Sequence, residues 1–345
     1  MAVATLDPPA APGASGTAGV GRILGAFRPL GRLLITTGTV LFLASVITFG
    51  LGAVSPSNPG AAVLGETATP QAIARMNHQF GLDQPLVTRY VTWVGDALHG
   101  DLGRSWFTTI SVGQSIEHAL PVDLSIATLA LVLAIVIGTT AGIGAALSNG
   151  GRLDRGVTIV CSILATLPPF LIGIALIVLL AVKVPLLPAG GYVPLSVDPL
   201  AWLRFAILPG LALSLEVAAN IARQLRTSLI GALAENYAIG AEMRGYSRRR
   251  VLFGHVLRNT VSSSLAVIGM AIPLIIGGAV MTEKLFNLPG LAQLALQATQ
   301  RSDVPVVLGA LLVTSVVVLA GNLIVNALQT LLNPAARRDA QGAGR

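Results

Sequence analysis

The sequence predicts an all-α polytopic membrane protein with six transmembrane helices. Three observations carry that prediction. First, 53% of the 345 residues are hydrophobic and 11% are charged, whereas a soluble domain carries about 25% charged residues. Mean hydropathy is +0.77. Second, several apolar segments approach or exceed the roughly 20 residues that cross a bilayer. Third, these runs do not alternate as barrel strands do. Backbone groups in lipid must be satisfied within each segment, which leaves helices.

In chain order, residues 1–20 are rich in Ala, Gly, Pro and Thr without periodicity and read as a disordered tail. No short apolar region with a small-residue cleavage site precedes the first long segment, so no cleavable signal is evident. Residues 21–31 set Arg22 and Arg28 among Ile23, Leu24, Phe27 and Leu30. An amphipathic surface helix and plain juxtamembrane charge stand as alternatives there. Segment one covers about 32–54, and a long polar region, 55–118, follows it. That region opens on the turn-rich Ser55-Pro56-Ser57-Asn58-Pro59-Gly60. Thr69-Pro70 then starts a helix that ends at Gly81, with Thr as N-cap and Pro in the first helical position. A second helix runs from Leu86 to His99 and is closed by Gly100.

Segment two spans about 119–147. Its Gly138-Thr139-Thr140-Ala141-Gly142 spaces small residues for close helix approach. Segment three, about 156–182, is interrupted by Pro168-Pro169, which predicts a kink. Its Cys161 is the single cysteine, so no internal disulfide exists, and a packing role is expected. Residues 183–205 read as a Pro/Gly-rich loop. Segment four, about 206–231, carries Glu216, an ionisable group at a depth where it must be paired or face water. A lining for a transport path and a partner within the bundle stand as alternatives for it. Segment five is about 260–281, and segment six is about 304–331.

The net charge of +7 forms no single patch, so it is not read as a nucleic-acid signal. Of the 22 basic residues, 15 fall on one side of the segments and 7 on the other. Six spans with both termini cytoplasmic satisfy the positive-inside rule, which turns 55–118 outward. The two lysines, Lys183 and Lys284, lie in no GxxxxGK[ST] loop, so the chain holds no phosphate cradle. There is no HExxH and no GxSxG. His78, His99, His118 and His255 have no metal-ligand spacing. Catalysis by this chain is not expected.

The most polar run lies between segments four and five, from Glu235 to Asn259. Residues 235–243 read as one short helix, with Tyr237, Ala238, Ala241 and Glu242 on related turns. Gly245 offers positive φ to reverse the chain. A second helical run starts after Ser247, with Arg248, Arg249 and Arg250 at its start and Val251, Leu252, His255 and Val256 on one face. Charge alone fits any cytoplasmic loop of a membrane protein.

Ala241, Gly245 and His255-Val256-Leu257-Arg258-Asn259 resemble the Glu-Ala-Ala…Gly loop of ABC importer permeases. The pattern looks most like the B-type subunit of oligopeptide/dipeptide permeases, a family that also serves nickel. Glu242-Met243 stand where many relatives carry a small or basic pair, and Arg258 stands where the wider superfamily carries proline. Two further stretches resemble the same family. One is Phe80-Gly81-Leu82-Asp83-Gln84-Pro85-Leu86 with Gly100-Asp101-Leu102-Gly103-Arg104-Ser105. The other is Gly277 to Leu291, which contains Glu283-Lys284-Leu285-Phe286-Asn287-Leu288-Pro289-Gly290.

The resemblance implies a type I ABC importer permease fold in a bacterial inner membrane. Residues 21–331 would form the permease domain, with an external region 55–118, a cytoplasmic coupling loop 232–259, an external scoop 282–303 and a tail 332–345. It also implies a second homologous permease subunit, two cytoplasmic ATPase subunits that bind ATP-Mg, and an external substrate-binding protein. Peptides or related small solutes would be the cargo. Coupling to the ATPase would fall to Glu235, Tyr237, Ala241, Arg244, Gly245, Arg248, Arg249, Arg250, His255 and Arg258. The scoop would use Glu283, Phe286, Pro289 and Gly290. A self-contained ion-coupled transporter is the rival. It would need intramembrane carboxylates or inverted repeats, and the sequence offers one deep acid and no evident repeat.

Overall fold

The computed structural model describes residues 35, 38–52, 58–65 and 67–332. The predicted tail 1–20, the segment 21–31, the turn residues 55–57 and the chain beyond 332 lie outside the described residues. Among those described there is no named strand, and the one bridge pairs Arg104 with Ser111.

Helix α1 is Gly38–Gly52. Three short helices follow, α2 (Pro59–Leu64), α3 (Pro70–Gln79) and α4 (Leu86–Leu98). As expected, the Thr69 hydroxyl accepts from the Ala72 amide at 3.3 Å, and Pro70 occupies the first turn. Gly81 and Gly100 close α3 and α4 with φ of +67° and +88°, in the left-handed region that only glycine enters at no cost.

The centre of the molecule is one helix pair, α5 (Val112–Leu147) and α8 (Pro199–Leu233). At 1.5 Å per residue each is about 50 Å long, well beyond the ~30 Å hydrocarbon layer. Val122, Ile126, Ala130, Ala134, Gly138 and Gly142 of α5 are all buried. They recur every fourth residue, which is the ridge that packs into a neighbour's groove. The small-residue pattern does what its spacing predicts. A Cβ on Gly138 would meet the Ala218 carbonyl at 2.8 Å, and one on Gly142 would meet the Ala222 carbonyl at 2.8 Å.

Around this pair stand α6 (Arg152–Leu164), α7 (Pro169–Ile177, running into a π-helical turn at Val178–Lys183), α11 (Leu257–Gly277), α12 (Ala279–Phe286), α13 (Leu291–Gln300) and α14 (Val304–Leu332). Between α8 and α11 lie the short α9 (Asn236–Met243) and α10 (Arg248–Val251).

Several boundaries differ from the sequence reading. Segment two begins at Val112, and segment four begins at Pro199 inside the expected loop. The cause at the second site is local: Asp198 caps the helix by accepting from the Leu200 and Ala201 amides at 2.9 and 3.0 Å. The expected kink at Pro168-Pro169 is a break of 105° between two helices. Pro168 has no N–H to continue the ladder, and Pro169 starts a new helix in its first turn. Segment five bends by 50° between Gly277 and Ala279. Among the described residues three helices are long and apolar enough to cross a membrane, or up to five when each bent pair counts as one span, and α1 is a shorter apolar helix.

Candidate functional site

The polar run between α8 and α11 folds into an elbow. Glu235 is the extended N-cap of α9, its carbonyl accepting from the Ala238 and Ile239 amides at 3.0 and 3.1 Å. At the other end Gly245 has φ +87°. Its N–H donates to the Glu242 carbonyl at 2.9 Å, and the Tyr246 N–H reaches back to the Ala241 carbonyl at 3.3 Å. These two bonds are the Schellman closure, which needs a left-handed residue where Gly245 stands.

The elbow has an inner and an outer face. Ala238 and Ala241 are buried, with Val251, Leu252 and Val256, against Ala146 of α5 and Leu225 and Leu229 of α8. Ala241 therefore holds the elbow on its seat and is not on the outer surface, which corrects its expected place with Tyr237 and Gly245 among the residues that meet the cytoplasmic ATPase. Its small side chain lets α9 lie close to α8. Outward stand Tyr237 (42% exposed), Ile239, Met243 (85% exposed), Tyr246 and Phe253. Arg244, Arg249 and Arg250 are exposed beside them. The Arg250 guanidinium lies 4.9 Å above the Tyr246 ring, a contact worth ~0.5–1 kcal/mol at such a site. Arg248, His255 and Arg258 lie on the helical run, but their side chains are outside the described residues. A π-helical turn at Leu252–Val256 joins α10 to α11. The arm thus continues into segment five, and the expected start at 260 is too late.

Next to the elbow is a clamp that the sequence reading missed. One edge of the Arg226 guanidinium on α8 donates twice to Asp154 on α6, Nε to Oδ1 and Nη2 to Oδ2. Asp154 is 2% exposed and also accepts from the Gly150 amide at 2.8 Å. A forked arginine–carboxylate pair fixes orientation as well as distance. The two residues are 72 apart in sequence, so no local pattern announces them.

The scoop lies at the opposite end of α5. From Asp123 to Ala146 the helix rises ~35 Å, about one bilayer thickness. Here the Leu288 N–H donates to the Glu283 carbonyl at 2.8 Å and the Asn287 N–H to the Lys284 carbonyl at 3.4 Å. This repeats the closure at Gly245, with Asn287 in the left-handed position at φ +52°. Glu283 and Phe286 still belong to α12 and are buried, whereas Pro289 is exposed. The carboxylate of Glu283 accepts from the Gln293 amide at 2.7 Å, and that of Asp123 from the Leu291 amide at 2.9 Å. The first N–H groups of α13 have no partner within the helix, and two carboxylates supply it. A Cβ on Gly290 would overlap both acids. Asp123 is thus a second acid within a span, beyond the one the sequence reading counted. The Phe286 carbonyl accepts from Gly191 at 2.7 Å, stitching the 183–205 loop to the scoop.

The stretch before α5 is tied down in the same way. The Ser105 hydroxyl donates to Asp303 at 2.5 Å, and the Trp106 amide donates to the same carboxylate at 3.2 Å. Burial pushes the Asp303 carboxyl above the usual range, and these donors pull against that shift.

Glu216 is half-buried on α8, with no hydrogen bond or ion pair among the described residues. A groove of about 470 Å³ opens one turn further along, lined by Asn220, Arg223, Gln224 and Thr227 of α8 and by Met270 and Leu274 of α11.

A family profile described as the binding-protein-dependent transport system inner membrane component matches residues 138–338. The chain belongs to that family. Its N-terminal companion profile matches residues 26–127 of this permease. A putative peptide transport system permease protein of Brucella abortus (strain 2308) is 35% identical over 300 residues, covering 87% of this chain and 96% of the relative. The di/tripeptide transport system permease protein DppB of Pseudomonas aeruginosa is 32% identical over 331 residues, 90% of this chain and 97% of its own. The glutathione transport system permease protein GsiC of Escherichia coli O6:H1 is 33% identical over 298 residues, 86% and 94%. The permease is thus a multi-pass protein of the bacterial inner membrane and a subunit of an ABC importer, not a self-contained ion-coupled transporter.

Proposed function

We propose that this permease carries short peptides or closely related solutes across the membrane, delivered by an external binding protein and driven by separate ATPase subunits. The elbow carries the reading. Its buried alanines fix it to the ends of α5 and α8, and its outer face combines aromatic, apolar and cationic groups that no described residue covers. Such a face on a rigid seat fits a partner groove with an acidic rim. The three permeases named above, two for peptides and one for glutathione, support the cargo class.

In this reading α1, the bent pair α6–α7, the bent pair α11–α12 and the long helices α5, α8 and α14 make six spans, with both termini in the cytoplasm. The elbow then faces the cytoplasm, and the scoop and residues 58–111 face outward, in keeping with the ~35 Å between the two ends of α5. Tyr237, Arg244, Arg248, Arg249, Arg250, His255 and Arg258 contact the ATPase, while Glu235, Ala241 and Gly245 shape and seat the elbow. ATP-Mg binds on two ATPase subunits, and a second homologous permease completes the path. Closure of the ATPases moves the elbow, and two packings of the same helices give alternating access.

A cysteine at Met243, with Cys161 replaced by serine, tests this directly. It is expected to crosslink to the ATPase subunit and to be labelled by impermeant thiol reagents only from the cytoplasmic side. Labelling from outside would refute the topology, and uptake of peptide with the elbow deleted would refute the coupling role. Proteoliposomes holding the chain alone are expected to show no uptake under a proton or sodium gradient.

A further inference from the structure

Helix α8 carries a polar row where a lipid-facing helix would be apolar. Glu216, Asn220, Arg223 and Thr227 follow one another at intervals of four, three and four residues. At ~100° per residue they fall within ~60° of arc. The opposite side, with Ala218, Ile221, Leu225 and Leu229, is buried in the bundle. Charged groups inside a membrane face a partner or water, because lipid does not solvate them. Among the described residues the ion pairs are His78–Asp83 and Arg226–Asp154, so neither Glu216 nor Arg223 has an opposite charge beside it. Arg223 Nη2 donates to Asn220 Oδ1 at 2.6 Å. This bond holds the guanidinium beside Asn220 on the groove wall, one turn from Glu216.

We propose that Glu216 and Arg223 form a two-point site for a short zwitterionic peptide. Glu216 takes the N-terminal ammonium and Arg223 the C-terminal carboxylate. The inference rests on the peptide reading above. The seven residue steps from Glu216 to Arg223 rise ~10 Å along the helix, and three extended residues span ~10 Å. The spacing therefore matches a tripeptide or a slightly extended dipeptide, while a longer peptide engages one charge at a time. Side chains meet Val217, Met270 and Leu274 on the groove wall. Methionine in particular adapts its shape to unlike apolar groups, so the wall discriminates little between side chains. Length and free termini, not sequence, are what this site reads.

The test uses the complete importer in right-side-out membrane vesicles. Cys161, buried and the single cysteine, is replaced by serine, and Thr227→Cys reports from the groove. The rate of labelling by a small thiol reagent is measured against trialanine, N-acetyl-trialanine and trialanine amide at millimolar concentrations, which bypasses selection by the binding protein. Trialanine is expected to slow labelling. Each blocked form is expected to need about tenfold more for the same protection, as for the loss of one charge-assisted contact. With Glu216→Gln the penalty for acetylation disappears and that for amidation persists, and Arg223→Gln gives the converse. Equal labelling rates of the variants without peptide confirm that the groove is intact. Equal protection by free and blocked peptides overturns the two-point site, as does loss of both penalties in either single variant. If trialanine enters the vesicles without protecting Thr227→Cys, the site falls and the peptide reading stands. If it neither enters nor protects, both fall.

Discussion

Replacing Gly245 isolates the shape of the elbow from its chemistry. Its φ of +87° lies where L side chains are strained, and no atom lies within 4 Å of a Cβ placed there. Sterics with neighbours therefore drop out, and only the backbone cost remains. That cost is ~1–2 kcal/mol for an ordinary residue, less for asparagine, which tolerates the left-handed region, and most for a β-branched side chain. The closure it would disturb consists of two bonds, Gly245 to Glu242 and Tyr246 to Ala241. At ~1 kcal/mol net each, they are worth ~2 kcal/mol. Strain and closure are comparable, so alanine is expected to loosen the turn and valine to open it. Uptake and ATPase retention on purification are then expected to follow Gly ≈ Asn > Ala > Val, at equal membrane abundance. Gly245→Asp, which tolerates the left-handed region as asparagine does but sets a negative charge among arginines, is expected to abolish uptake through that charge. Full uptake by Gly245→Val would refute the claim that a left-handed closure sets the elbow.

Three further outcomes follow from the geometry. Gly138→Val or Gly142→Val pushes α5 off α8, and ~1–3 kcal/mol of overpacking is expected to lower the melting temperature in detergent. Ser105→Ala removes the donor to Asp303 and the acceptor for the Phe107 and Thr108 amides. Limited proteolysis is expected to cut residues 101–111 faster, with ~1–3 kcal/mol lost for buried groups left unpaired. Asp154→Arg is expected to disrupt assembly, and the exchange Asp154→Arg with Arg226→Asp to recover part of it. No recovery in the exchanged protein would show that Gly150, not Arg226, is the partner that counts.

What the sequence made legible was local. Thr69-Pro70, Gly81, Gly100 and Gly245 act through their own backbone angles or through amides within five residues, so residue type and spacing predict them. Gly138 and Gly142 were legible because a repeat of four places them on one ridge, although only the fold shows that α8 is the neighbour. The elbow's outline was equally visible, but not which of its residues face in. Tyr237 and Ala241 sit one turn apart on related positions, and the burial of Ala241 depends on Leu225 and Leu229 arriving from α8.

The polar contacts that organise the two ends were not legible. Asp154 with Arg226, Asp123 with Leu291, and Ser105 with Asp303 join residues 72, 168 and 198 apart. Each brings a buried or half-buried carboxylate to a donor from a distant helix or loop, and each donor is an ordinary residue in its own neighbourhood. A buried acid cannot stay without partners, so Asp123 inside an apolar helix did signal that some group must meet it. Only the turn at Asn287 and the start of α13 name that group. The same logic applied to Glu216 finds no partner among the described residues, and that contrast sets α8 apart. Asp123 and Asp154 hold helices in place through their donors, whereas among the described residues Glu216 has no ion pair and the Arg223 guanidinium bonds only to the neutral Asn220.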